Sequence, residues 1–328
     1  MSNITNWGIM ATGKIAHTFA KAVNAAEGAK LYACASRNSE KAAEFGKLYG
    51  AERSYGSYEE LAADPNVDIV YVASPMSCHY ENVRLCFEHG KNVLCEKSIT
   101  MNSEQLAELV KTAKEKNLFF MEAMWTKCLP SFLKANEWVR SGKIGEIRAI
   151  RADFSNPVDF APEDRLFRPE LGGGALLDLA VYPITFITAF LGYEPVEISS
   201  SVNFGRSGVD TDEAVIFKYK NAFASMTAGF NMENENRAVI VGTEGRIAFD
   251  QWFFCTDTVR LFRWDNVLLE ESVTPHICNG YEYEILEAQR CLSEGLKESP
   301  LNPLSDTVSV MKIMDGLRKD WSYSFPNE

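Results

Sequence analysis

The chain has 328 residues, 46% of them hydrophobic, enough for a sizeable core and long enough for two domains. Lys plus Arg number 33 against 45 Asp plus Glu, a formal net charge of −12, and this acidic balance argues against nucleic acid or an anionic membrane as the main partner. Any anion the protein binds must be held by local groups.

The opening residues MSNITNWGIM have no basic lead and no apolar run of export length, and no stretch is expected to reach the ~20 apolar residues of a membrane helix. The eight cysteines (Cys34, Cys78, Cys86, Cys95, Cys128, Cys255, Cys278 and Cys291) contain no CxxC pair. A cytoplasmic protein with reduced thiols is expected. His17, His79, His89 and His276 do not group with cysteines at zinc spacing, so no metal site is expected.

Through the first 120 residues, short apolar runs alternate with helical patterns. NWGIM (6–10) reads as a strand and 14–26 as a helix. KLYACA (30–35) is a second strand, followed by a helix over 38–50 that ends on Gly50. SYEELAADP gives a short helix. VDIVYVAS (67–74) is nearly all apolar, as a strand covered on both faces should be. HYENVRLCFEHG is a helix closed by Gly90, and strand KNVLC follows. A helix over 102–117, with Asn102 or Ser103 as N-cap, leads to strand 118–124. This alternation predicts an α/β fold with a doubly wound parallel sheet.

Beyond about residue 125 the pattern changes. A helix ends at Gly142 and Gly145, and longer strands with period-two alternation follow at 146–154, 213–230, 237–250 and 258–273. They predict a large, open, mostly antiparallel sheet with helices on one face, closed by helices near 281–295 and 304–320. The expected domains are 1–123, binding nucleotide, and 124–328, binding substrate and a second copy, with the last helix able to pack back on the first domain.

The first strand runs into ATGKIA (11–16), a G-x-G-x-x-[GA] match with Ala11 in the first glycine slot. Gly13 lets the backbone approach a pyrophosphate, Ala16 lets the helix lie close to the sheet, and the amides opening the helix at Lys14 face the anion. Ala11, Thr12, Gly13, Lys14 and Ile15 are therefore candidate cofactor contacts. The second strand ends ASRNSEK, with no carboxylate at Ser36 or Arg37 to accept from a ribose 2′-hydroxyl. Arg37 offers a planar, permanent charge to a 2′-phosphate, Ser36 can donate to it, and Lys41 lies one helical turn on. NADP is expected in preference to NAD. Ser74 and Pro75 end a strand beside the cofactor, and His79 follows as a candidate contact or a helix-face residue without a role.

LCEKSIT places Glu96 and Lys97 at the end of a buried strand, where an ion pair loses hydration. A strand end that opens into the cofactor crevice removes that difficulty. There Lys97 can bond a substrate oxygen, and Glu96 can hold the lysine or the cofactor. Further on, GGGALLDLAVYPI supplies Asp178 and Tyr182, and a helix beginning near Ala175 sets them on one face at i, i+4.

GIMATGKIA, VASPMSCHYENVRLCFEHGKNVLCEKSIT and LGGGALLDLAVYPITF together resemble the glucose–fructose oxidoreductase/inositol dehydrogenase (Gfo/Idh/MocA) family over nearly the whole chain. LCEK, MEAMWTKCLP and GGGALLDLAVYP are most similar to its dimeric dihydrodiol dehydrogenase and D-xylose dehydrogenase branch. The resemblance implies a Rossmann domain, a C-terminal domain with an open antiparallel sheet, and nicotinamide-dependent oxidoreduction of a sugar, polyol, cyclitol or cyclic diol. It implies Lys97 and Tyr182 as catalytic residues. Tyr182 moves a proton, its ordinary pKa of ~10 lowered by a nearby lysine, and Asp178 orients substrate or that pair. Trp125 is implied as an aromatic wall of the substrate pocket, with Phe154, Arg168 and Tyr281 as weaker candidates. The chain departs from the family at Ser98, where proline is usual, and at Ala11. A homodimer is implied through the outer sheet face, with a tetramer as the other arrangement in the family. Two alternative functions are a non-catalytic NADP-binding regulator and an enzyme that uses bound cofactor for internal redox, as in epimerisation or glycoside cleavage.

Overall fold

The computed structural model describes residues 4–326. The chain begins with β1 (Thr5–Met10), α1 (Lys14–Ala25), β2 (Ala29–Ala35), α2 (Ser39–Tyr49), β3 (Arg53–Tyr55), α3 (Tyr58–Ala63), β4 (Ile69–Val72), α4 (His79–Glu88), β5 (Asn92–Glu96), α5 (Ser103–Glu115) and β6 (Phe120–Ala123). The strands pair in parallel in the order β3-β2-β1-β4-β5-β6. β4 and β6 are buried at every residue, which is why their apolar runs are continuous. The order reverses between β1 and β4, the switch point where an open parallel sheet leaves a crevice at its carboxyl ends.

Local chemistry fixes the helix ends. Asn38 and Asn102 cap α2 and α5 by accepting from Lys41 N at 3.0 Å and Gln105 N at 2.9 Å. Gly50 closes α2 in the left-handed region at φ +78°.

The chain continues with α6 (Pro130–Arg140), β7 (Ile147–Ser155), a π-helical turn (Leu176–Ala180) running into α7 (Val181–Leu191), then β8 (Glu197–Phe204), β9 (Asp210–Lys218), β10 (Phe223–Gly229), β11 (Ala238–Gly242), β12 (Gly245–Phe249), β13 (Thr258–Arg263), β14 (Leu268–Val273), α8 (Glu282–Ser293) and α9 (Leu304–Asp320). The eight-stranded sheet has the order β14-β13-β12-β11-β7-β10-β9-β8, antiparallel except where β10 meets β7. Two of the long strands expected from alternation are hairpins. The run 213–230 turns at Lys220-Asn221, where Tyr219 N donates to Ala222 O, and 258–273 turns at Asp265-Asn266, with Asn266 at φ +68°. Alternation continues through both turns and so hides them. β3, only three residues long, and the serine-rich edge strand β8 gave no apolar signal.

The outer face of this sheet is mixed. Ile216 and Phe223 are 55% and 60% exposed. Arg151, Ser225, Ile216 and Ser199 pair directly across four neighbouring strands and share that face.

Contrary to the expectation from hydropathy, Pro169–Leu191 is long and apolar enough to cross a membrane, but 78% of its apolar window is buried inside the fold. It is a core helix of the second unit.

The chain divides into two compact units: Met1–Cys128 with His276–Val308, and Leu129–Pro275 with Ser309–Glu328. The segment 124–328 expected as one domain is therefore interrupted, because α8 belongs to the first unit. Trp7 Nε1 donates to Gln289 Oε1 at 3.2 Å, Gln289 Nε2 to Glu27 O at 2.9 Å and Asn279 Nδ2 to Thr18 O at 3.0 Å.

Ala11 sits at φ +76°, a conformation that costs an L side chain about 1–2 kcal/mol. Ala11→Gly relieves that cost but adds freedom to the unfolded chain, roughly 0.4–1 kcal/mol. The expected outcome in denaturant melts is a change between zero and about +1 kcal/mol, while a branched Ala11→Val destabilises by more than about 1 kcal/mol. A clear loss of stability in the glycine variant would count against this backbone assignment.

Candidate active site

The turn after β1 is built to leave backbone amides available. Ala11 N donates to Ala35 O at 3.0 Å, pinning the turn to β2. Gly13 is the N-cap of α1, with no side-chain cap and no acidic residue in the first helical turn. A Cβ built on Gly13 meets no atom within 4 Å. The positive end of a 12-residue helix therefore faces open space, as a pyrophosphate requires. Thr12, Gly13, Lys14 and Ile15 are all at least partly accessible here. The residues fit a dinucleotide.

At the end of β2, Ser36 is buried and its Oγ accepts from Asn38 N at 3.2 Å. Arg37 is exposed, as is the Lys41 side chain. The phenol of half-buried Tyr58 lies close enough to Arg37 that the guanidinium opposes the upward pKa shift burial gives it. Positions 36 and 37 carry no carboxylate, so the nearest charge offered to a ribose substituent is cationic.

At the ends of β4 and β5, His79 is only 1% exposed. Its Nε2 lies 2.8 Å from Ser74 O and its Nδ1 3.0 Å from Ser98 O. The ring thus ties together the loops that follow the two strands. Ser74 Oγ accepts from Asn82 Nδ2 at 2.7 Å, and Pro75 begins the next turn. Glu96 accepts from the Tyr71 hydroxyl and, through Oε2, from the backbone N of Lys97 at 3.1 Å. Burial, with the charge of Glu96 beside it, pushes the Tyr71 phenol well up, so it stays a donor. Lys97 is half-buried, and its peptide bond to Ser98 is cis. Glu122 at the end of β6 accepts from Ile99 N at 3.3 Å, and burial raises its pKa to about 7.

Still within the first unit, Trp125 and Tyr281 stack with ring centroids 4.2 Å apart. Gly280, at φ +98°, permits this: a Cβ there would lie 2.9 Å from the Trp125 ring. Sequence reasoning named both aromatics separately, and the structure brings them together.

In the second unit, Asp178 and Tyr182 lie on the π-helical turn and the first turn of α7. The Asp178 Oδ1–Arg165 Nη2 distance is 3.1 Å. Tyr182 is buried against Phe154, centroids 5.5 Å apart, and Phe254, 4.8 Å. Phe254 and Trp252, which also meets Phe154, were missed from sequence. The run QWFFC, 251–255, was the available signal. Arg168 pairs with Glu170 at 2.7 Å. The glycines before Asp178 approach the chain itself: a Cβ on Gly173 would lie 2.7 Å from the carbonyls of Arg165 and Leu166. Asp210, which touches the start of this segment, was also missed. Among the described residues, no group of three or more His, Cys, Asp or Glu side chains is arranged to hold a metal.

Residues 5–124 match the family described as "Oxidoreductase family, NAD-binding Rossmann fold", and 132–248 match the "GFO/IDH/MocA C-terminal domain". The chain is 34% identical to trans-1,2-dihydrobenzene-1,2-diol dehydrogenase of Xenopus laevis over 98% of its own length and 99% of that protein. It is 35% identical to the NADP(+) D-xylose 1-dehydrogenase of Hypocrea jecorina, covering 98% and 93%. Among solved structures it resembles the 3-ketoreductase KijD10 of Actinomadura kijaniata in complex with NADP and TDP-benzene, with TM-score 0.85, 26% identity and coverage of 97% and 98%. That ketoreductase has also been solved with one lysine replaced by alanine and with one tyrosine replaced by phenylalanine. With both halves matched and full-length relatives above 30% identity, the chain belongs to the Gfo/Idh/MocA family of oxidoreductases.

Proposed function

We propose that this protein is an NADP-dependent dehydrogenase or reductase acting on a secondary alcohol or carbonyl of a sugar, polyol, cyclitol or cyclic trans-diol. The observation that carries the reading is the α1 N-terminus: without a side-chain cap, opened by Gly13, and following β1 of the same sheet whose β5 ends at Glu96, just before Lys97. Ala11 to Ile15 would hold the pyrophosphate and Ser36, Arg37 and Lys41 the ribose 2′-phosphate. Bound nicotinamide supplies or accepts the hydride. The relatives support the substrate class, since one acts on a dihydrodiol and another on D-xylose.

Lys97 serves to polarise the substrate oxygen, and Tyr182 to carry its proton. Each removes a different part of the charge that develops as an alcohol becomes a carbonyl. A lysine and a tyrosine are also the residue types varied in the ketoreductase structures. The stacked Trp125 and Tyr281, and the aromatic group around Phe154, offer apolar faces suited to a sugar or cyclic diol ring. The direct test is a spectrophotometric screen for NADP reduction against aldoses, polyols, inositols and trans-dihydrodiols. Turnover of none of these, with NADP bound, would sink the enzymatic reading.

Three expectations follow from these roles. Arg37→Asp should raise the KM for NADP about tenfold or more and leave that for NAD nearly unchanged, since a charge-assisted contact is lost only with the phosphate. Equal effects on both cofactors would remove Arg37 as the selector. Lys97→Met and Tyr182→Phe should each lower kcat by about 100-fold or more while NADP titration by fluorescence shows native binding. The double variant should lose little more than either single one; near-native kcat in a single variant would remove that residue from the chemistry. We also propose a homodimer through the outer sheet face carrying Ile216 and Phe223. Sedimentation equilibrium at micromolar protein should give twice the chain mass of 36.7 kDa, and Ile216→Asp with Phe223→Asp should give the single mass. A single mass for the unaltered protein would refute the pairing.

A further inference from the structure

The segment bearing Asp178 and Tyr182 has no cap of its own. The π-helical turn begins after Ala175 without a side-chain hydrogen bond from its N-cap residue, and Gly172 and Gly174, at φ +79° and +127°, precede it. Such a junction is free to rotate unless something outside it fixes the first amides. What fixes them comes from β9, 34 residues further along the chain. Asp210 Oδ2 accepts from Leu176 N at 2.6 Å. The Ala175 amide also favours the charged carboxylate. The same carboxylate occupies the space above Gly174, where a Cβ would collide with Asp210 Oδ1.

We infer that Asp210 is a positioning residue for the reaction: through the amides of Ala175 and Leu176 it sets the rotation of the π-helical turn and thereby the placement of Asp178 and Tyr182. The inference rests on the role proposed above for Tyr182.

The surroundings show that the contact is more than ordinary helix capping. Asp210 is 1% exposed, and burying an ionisable carboxyl there is unfavourable unless its hydrogen bonds are made. Burial raises its pKa to about 6, against the pull of the Leu176 and Ala175 amides and of the Arg318 guanidinium. Its neighbours on β9 are disposed differently. Asp212 is taken by Asn231, through N at 3.1 Å and Nδ2 at 2.7 Å, and by Thr211 Oγ1 at 3.0 Å. Glu213 has no hydrogen-bond partner among the described residues, and burial, with Asp210 and Asp212 beside it, pushes its pKa well up. Of the three adjacent acids, Asp210 alone reaches the start of the catalytic segment in the hydrogen bonds described. A π-helical turn widens the helix by one residue, so a slip of one amide at its start would carry Tyr182 round the axis. An error of about 1 Å in the placement of a catalytic group can cost ~100-fold in rate.

The test compares Asp210→Ala and Asp210→Asn with the parent and with Tyr182→Phe. It uses NADP reduction with D-xylose or trans-1,2-dihydrobenzene-1,2-diol, whichever the screen finds turned over, and hydrogen–deuterium exchange of the peptide covering 175–186. Asp210→Ala should lower kcat about 10- to 100-fold with the KM for NADP within about twofold of native, and speed exchange in that peptide. Asp210→Asn keeps an acceptor oxygen and should recover most of both. It also keeps the test available if the alanine variant fails to fold. Asp210→Ala combined with Tyr182→Phe should lose no more than Tyr182→Phe alone. Native kcat, or unchanged exchange at 175–186, in a folded Asp210→Ala protein would overturn the inference. Should Tyr182→Phe retain native turnover, the role of Tyr182 would fail instead, and exchange at 175–186 would still report on the Asp210 anchor.

Discussion

A carboxylate at the end of a buried parallel strand is stable only when its hydrogen bonds are made, and at the end of β5 that requirement falls on the bond from Tyr71 to Glu96. Tyr71 is itself fixed by stacking on Phe19, with ring centroids 3.5 Å apart and planes nearly parallel. Glu96 in turn accepts from the Lys97 amide, so the lysine's main chain is held by a chain of contacts that begins in the aromatic core. Glu122 and Glu284 are buried close by. Burial raises Glu122 to about 7 and, with Glu96 and Glu122 adjacent, pushes Glu284 well above the carboxylate range. Burial thus disfavours charge on Glu122 and Glu284, while Glu96 accepts hydrogen bonds from Tyr71 and the Lys97 amide. The proximity of Glu96 and Lys97 in sequence suggested an ion pair at a buried strand end, and the structure adds a bond from the Lys97 amide to the Glu96 carboxylate that orients the backbone.

The second unit solves a similar problem in a different way. Its segment bearing Asp178 and Tyr182 begins at a helix start, where amides need outside partners, and the acceptor for Leu176 N comes from β9. Tyr182 packs between Phe154 and Phe254, and such contacts restrict its ring to few rotamers. In both units a carboxylate holds backbone: Glu96 accepts from the Lys97 amide, with His79 tying the loop beside it, and Asp210 accepts from the Leu176 amide.

What the sequence made legible follows from how local each signal is. The alternation that marks the parallel sheet, the glycine turn at Ala11–Gly13 and the cap Asn102 are encoded within a few residues, and the structure has them where the spacing put them. The same locality exposed the absence of a carboxylate at Ser36 and Arg37. Asp210 and Tyr71 were invisible for the opposite reason. Each acts on a residue 25 or 34 positions away, and nothing in DTDEAVIFK or DIVYVAS distinguishes an acid or phenol with a distant partner from one without. The hairpins at Lys220-Asn221 and Asp265-Asn266 failed differently. Their turn chemistry was present, but the apolar alternation on both sides was in phase and concealed the break. Interruption of the second domain by 276–308 left no trace in composition, because α8 is amphipathic whichever unit its apolar face covers.

One tension in the composition resolves at the level of single side chains. A protein with net charge −12 is proposed to bind a cofactor that is itself a polyanion. At physiological ionic strength, exposed charges act over only about 8–10 Å, so the total matters less than what lies within that radius. α1 has no acid in its first turn, and Arg37 after β2 and Lys41 in the first turn of α2 stand exposed, with Glu40 the one acid between them. Near the β5 end, Glu122 and Glu284 are buried, and burial pushes both toward the neutral form. Acidity elsewhere on the surface can then serve solubility, while recognition of the anion is left to a helix dipole, open amides and a single guanidinium.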